Sequence, residues 1–115
     1  MRSSVENVYA DKTKVNEVLV DRYFDLSLRE GNRQALVDRI KSFNDPDPIG
    51  LIKTIQQPTL VLWGEKDLLI PLEIAHRFHQ DLPNDSLVIL KDLGHVPMEE
   101  SPVESLGPVL SFLDN

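Results

Sequence analysis

The period of the apolar positions changes near the middle of the chain. After Thr13, an N-cap candidate with Glu17 in the first turn, Val15, Val18, Leu19, Tyr23 and Leu26 recur every three to four residues, and Gly31 stands where a glycine would end a helix. This spacing predicts an amphipathic helix of about four turns. A shorter helix is expected after Asn32, with Leu36, Val37, Ile40 and Phe43 on one side, up to the breakers Asn44, Asp45, Pro46, Asp47 and Pro48. Asp47 and Pro48 then read as the N-cap and first residue of a third helix that carries Ile49, Ile52 and Ile55 inward.

From Gln57 the pattern is different. Pro58 forces its predecessor into extended backbone, and Thr59, Leu60, Val61, Leu62 and Trp63 show no polar alternation beyond the first residue, as in a strand buried on both faces. Gly64 to Asp67 read as a turn. Pro71 opens a helix whose apolar positions are Leu72, Ala75, Phe78 and Leu82, closed by Pro83, Asn84 and Asp85. A second continuous apolar run, Leu87 to Leu90, completes a strand–helix–strand unit whose strands should be parallel. A final helix is predicted from a capping box of Ser101, Pro102 and Glu104, with Val103, Leu106, Leu110 and Leu113 on one face and a kink or break at Gly107–Pro108.

Composition narrows the field. With 115 residues and 41% apolar content the chain supports one core. Nineteen acids against twelve bases give a net charge of −7 with no basic stripe, so no nucleic-acid partner is expected. No apolar run approaches the ~20 residues of a membrane span, so no membrane partner is expected. The absence of cysteine removes disulfides and thiolate metal sites and fits a cytoplasmic location.

In open α/β sheets catalytic groups gather beyond the carboxyl ends of the strands. Two side chains qualify. Asp67 follows the first strand and His95 follows the second, 28 residues later, so a carboxylate and an imidazole would meet on one edge. A carboxylate that accepts the Nδ1 proton leaves Nε2 free to act as a base. Glu65 and Asp92 are rival acids that read better as turn residues. His76 and His79 have no third ligand spaced with them, and no metal or cofactor is expected. Trp63 reads as packing, Glu100 as a buttress of the His95 loop or the residue before the helix cap, and Tyr23, Phe24 and Leu28 as mainly core.

The stretch Gln57-Pro58-Thr59-Leu60-Val61-Leu62-Trp63-Gly64-Glu65-Lys66-Asp67-Leu68-Leu69-Ile70-Pro71 resembles the segment of α/β-hydrolases that delivers the acid of their catalytic triad. Asp92-Leu93-Gly94-His95-Val96-Pro97-Met98-Glu99-Glu100-Ser101-Pro102 is similar to the loop that delivers the triad histidine. The resemblance implies an α/β fold: residues 57–115 as the C-terminal βαβα part of the hydrolase core, residues 1–56 as a helical cap segment, and Asp67 and His95 as acid and base. It also implies a small-molecule substrate for the complete protein.

The nucleophile of that family stands on an elbow between glycines four residues apart. Here the glycines, at 31, 50, 64, 94 and 107, are never four apart, and the oxyanion-hole segment has no counterpart. The expectation is therefore a C-terminal fragment of a longer hydrolase, inactive alone. A second expectation is a non-catalytic assembly module, since two parallel strands leave apolar edges open to a homo-oligomer, for instance a symmetric dimer. A third is a complete small α/β protein in which His95 serves binding.

Overall fold

The computed structural model describes residues 1–42 and 48–114. Helices α1 (Arg2–Glu6), α2 (Glu17–Ser27), α3 (Asn32–Ser42) and α4 (Pro48–Ile52) precede β1 (Thr59–Gly64), α5 (Leu72–Asp81), β2 (Asp85–Leu90), the single turn α6 (Pro97–Glu100) and α7 (Pro102–Leu113). Phe43 to Asp47, which include the breakers Asn44, Asp45 and Pro46 and the Asp47 cap, lie outside the described residues.

The second half follows its sequence pattern. β1 and β2 pair in parallel, from Thr59 opposite Asp85 to Gly64 opposite Leu90, so both chain exits lie at one end of the sheet. Between them, α5 starts after Pro71, which sits at the N-cap rather than the first helical position, and buries Ala75, with the C-cap Leu82 also buried. Helices α5 and α7 both pack on the strands. The strands are nonetheless less buried than a continuous apolar run implies. Val61 and Leu90 are covered, whereas Ile89 is exposed, because a two-stranded sheet has no further strand at either outer edge among the described residues.

The first half departs further from its pattern. The long helix begins at Glu17, not Thr13, because the Asn16 side chain accepts the Leu19 amide (2.9 Å) and caps it. Thr13 instead lies in a 3₁₀ turn, where the Asp11 carboxylate accepts its amide and hydroxyl. The buried face carries Val20, while Val18 is 77% exposed. Gly31 does have a positive φ of 85°, but α2 has already ended at Ser27. Its carbonyl accepts the Ala35 amide and so starts α3.

The principal cluster of buried side chains is Val5, Tyr9, Val15 and Val20, with Val8, Leu19, Tyr23 and Val96 against it. The N-terminal segment is thereby packed on the loop that follows β2. At the other end, α7 runs on through Pro108 without a break. Proline lacks one amide, yet the helix keeps its neighbouring bonds and its packing on the sheet. The capping box does not form, since the Ser101 side chain makes no capping bond, although Pro102 does open the helix.

Candidate active site

Three stretches of backbone converge beyond the carboxyl ends of the strands. The Glu65 amide donates to the Leu90 carbonyl (2.9 Å) and the Lys66 amide to the Leu93 carbonyl (2.8 Å), joining the two loops. The His95 amide donates to the Val8 carbonyl (2.8 Å), joining the second loop to the N-terminal segment. Such closeness requires two glycines. A Cβ on Gly64 would lie 2.0 Å from the Gly94 carbonyl oxygen, and one on Gly94 would lie 2.6 Å from the Ala10 nitrogen and 2.7 Å from the Val8 oxygen.

Within this frame Asp67 and His95 meet. The His95 Nδ1 lies 2.8 Å from Asp67 Oδ2, and the imidazole is one-third exposed while the carboxylate is 4% exposed. The other carboxylate oxygen, Oδ1, accepts the amides of Leu69 (2.8 Å) and Ile70 (2.9 Å). Burial by itself would raise the Asp67 pKa; the Ile70 amide, the His95 ring and the Leu69 amide outweigh it and hold the carboxyl below its ordinary range. An ionised, fully bonded carboxylate fixes the imidazole with its proton on Nδ1 and leaves Nε2 as the free acceptor. Trp63 braces the same loop, its indole N–H donating to the Ile70 carbonyl (3.3 Å) and its ring tilted against Phe78.

The rival acids are engaged elsewhere. Glu65 accepts the Asp92 amide (3.1 Å), and Asp92 pairs with Lys66, which lowers its pKa. Asp92 adopts a positive φ of 60°, a conformation that aspartate tolerates in tight turns. His79 pairs with Asp85 (3.0 Å) at the opposite end of the sheet, and no group of three potential metal ligands occurs among the described residues.

The neighbouring carboxylates of α6 were the least legible part of the site. Glu100, 4% exposed, accepts amides from Gly94 (2.7 Å), Asp11 (2.7 Å) and Ala10 (3.2 Å). The sequence suggested a buttress but gave no sign that its partners come from residues 10 and 11. Glu99 accepts the hydroxyls of both Tyr9 and Tyr23 at 3.0 Å. Burial, followed by this bond to Glu99, pushes both tyrosine pKa values upward. Tyr23 is half-buried, whereas Phe24 and Leu28, also expected in the core, are exposed. A helical period alone cannot tell which side of a short helix meets its neighbour.

Comparison with known proteins identifies the fold family. The family description "alpha/beta hydrolase fold" matches residues 10–102. The uncharacterized hydrolase YugF of Bacillus subtilis (strain 168) is 34% identical over 96 residues, which cover 84% of this chain and 35% of that protein. Lipase 3 of Moraxella sp. (strain TA144) is 29% identical over 79 residues, covering 69% of this chain and 25% of the lipase. Among solved structures, the serine hydrolase CarC, involved in carbazole degradation, superposes with a TM-score of 0.82 at 26% identity, over 99% of this chain and 47% of that one. The chain thus spans about a quarter to a third of the length of these two curated relatives.

Proposed function

The chain belongs to the α/β-hydrolase fold family, and on that premise we propose that it supplies the acid, Asp67, and the base, His95, of a nucleophile–His–acid triad that hydrolyses esters or related bonds of a small-molecule substrate. The 2.8 Å contact between His95 Nδ1 and Asp67 Oδ2 carries this reading. Nε2 takes the proton of the attacking nucleophile, Asp67 stabilises the imidazolium that results, and the proton then passes to the leaving group. Residues 1–115 contain no Gly-x-Ser-x-Gly elbow, so the nucleophile and oxyanion donors come from outside them and these residues alone do not turn over. Residues 1–56 form the cap segment, and residues 57–115 the part of the core that bears the two catalytic groups.

A second reading, a non-catalytic assembly module, is favoured by one observation. Leu106, Leu110 and Leu113 of α7 and Ile89 of β2 are exposed, and the sheet edges have no partner strand among the described residues. One preparation tests both. On p-nitrophenyl esters the 115-residue chain is expected to show no turnover above buffer, whereas turnover abolished by His95→Ala would overturn the missing nucleophile. Light scattering of the same sample is expected to report a mass above the 13.1 kDa of one chain, and a stable monomer would remove the assembly reading.

A further inference from the structure

We propose that Glu100 is a positioning residue for His95, holding the imidazole at the distance its bond to Asp67 requires; this rests on the reading of Asp67 and His95 as acid and base. Two consecutive amides of the histidine loop are anchored to the same N-terminal segment. The His95 amide reaches the Val8 carbonyl directly (2.8 Å). The Gly94 amide is tied to residues 10 and 11 through Glu100, whose Oε2 accepts from Gly94 (2.7 Å) and Ala10 (3.2 Å) while Oε1 accepts from Asp11 (2.7 Å). With both amides held, the peptide plane that precedes the His95 Cα has one orientation relative to residues 8–11.

The chemistry of the acceptor matters as much as its place. Three donors converge on one buried side chain, and an ionised carboxylate has acceptor capacity on both oxygens with no donor of its own. A glutamine would turn an NH2 group toward at least one of the three amides. Its Lys14 neighbour strengthens the arrangement from the main-chain side, because the ammonium donates to the Glu100 carbonyl (2.8 Å). Gly94 has no freedom to compensate, since the Ala10 and Val8 backbone already lies where its Cβ would be. Catalytic groups need placement to about half an ångström, and a misplacement of about 1 Å costs on the order of 10²-fold in rate. Two anchors on successive amides are suited to supply that precision.

The test follows the Nδ1 proton of His95 by NMR in the 15N-labelled full chain, with amide dispersion as the check on folding. In the wild type, the bond to Asp67 should protect this proton from exchange with water. Glu100→Ala is expected to accelerate its exchange at least tenfold in a chain that remains folded, and Glu100→Gln at least threefold. An unchanged rate in folded Glu100→Ala would overturn the proposal. If that variant does not fold, Glu100→Gln decides alone, an unchanged rate again overturning it. Asp67→Asn separates the premise from the inference. Loss of the protected proton in Asp67→Asn with no effect of either Glu100 variant leaves the dyad standing and removes only the positioning role; persistence of the protection in Asp67→Asn overturns both.

Discussion

Asp67 shows how a common turn residue becomes committed to one state. Its carboxylate is nearly buried, which by itself favours the neutral acid, yet three hydrogen bonds reverse the direction and lower its pKa. A carboxylate held below its unfolded value, normally about 3.9, contributes stability that is present above that value and lost as pH falls through the lower folded one. Urea unfolding of the wild type and Asp67→Asn should therefore differ most near about pH 6, and the difference should shrink toward about pH 3. A difference independent of pH would show that the charge of Asp67 is not what the fold uses. The pairing of Asp67 with His95 was legible in the sequence, because both follow apolar strands through short turns and a parallel pair puts such turns on one edge. The amides that lower the Asp67 pKa were not, since they depend on the backbone path of Leu69 and Ile70.

Among the elements, β1, α5 and β2, bounded by Pro58, Pro71 and Pro83, carry strong local signals and match them in kind and nearly in extent. The N-terminal elements have weaker signals for a physical reason. Helix α1 has only five residues and no periodic pattern to detect, yet its Val5 is 2% exposed in the cluster that backs the His95 loop. Helix α2 has apolar residues at Val18, Leu19 and Val20, a run that is compatible with several faces; packing against α1 and Val96 selects Val20. The two faces predict opposite mutational results. Val5→Ala should lower the unfolding free energy by on the order of 1–3 kcal/mol, as for other truncations of buried aliphatic side chains. Val18→Ala should move it by less than about 0.5 kcal/mol, as for ordinary surface positions. Chemical denaturation of both variants checks this, and a larger loss at Val18 would favour the face read from periodicity.

At the scale of the whole molecule, the described residues bring the Asp67 carboxylate and the His95 imidazole together at one edge of a sheet while leaving several large apolar side chains of α7 uncovered. The chain belongs to the α/β-hydrolase fold family and spans about a third of its relative from Bacillus subtilis. None of the helices among the described residues is long and apolar enough to cross a membrane, so the exposed leucines do not form a span. The five glycines of the sequence are never four apart, so residues 1–115 hold no glycine-flanked nucleophile elbow. The open strand edges were legible in the sequence, whereas the exposure of Leu106, Leu110 and Leu113 was not, because an apolar helical face reads as core-facing whether or not anything covers it. The central claim is that Asp67 and His95 act as acid and base once a nucleophile is present. The most direct measurement is kcat for p-nitrophenyl butyrate in a folded, active fusion in which this chain replaces the matching part of YugF. His95→Ala in that fusion should lower kcat by about 10²- to 10⁴-fold, whereas a kcat unchanged by His95→Ala would contradict the account.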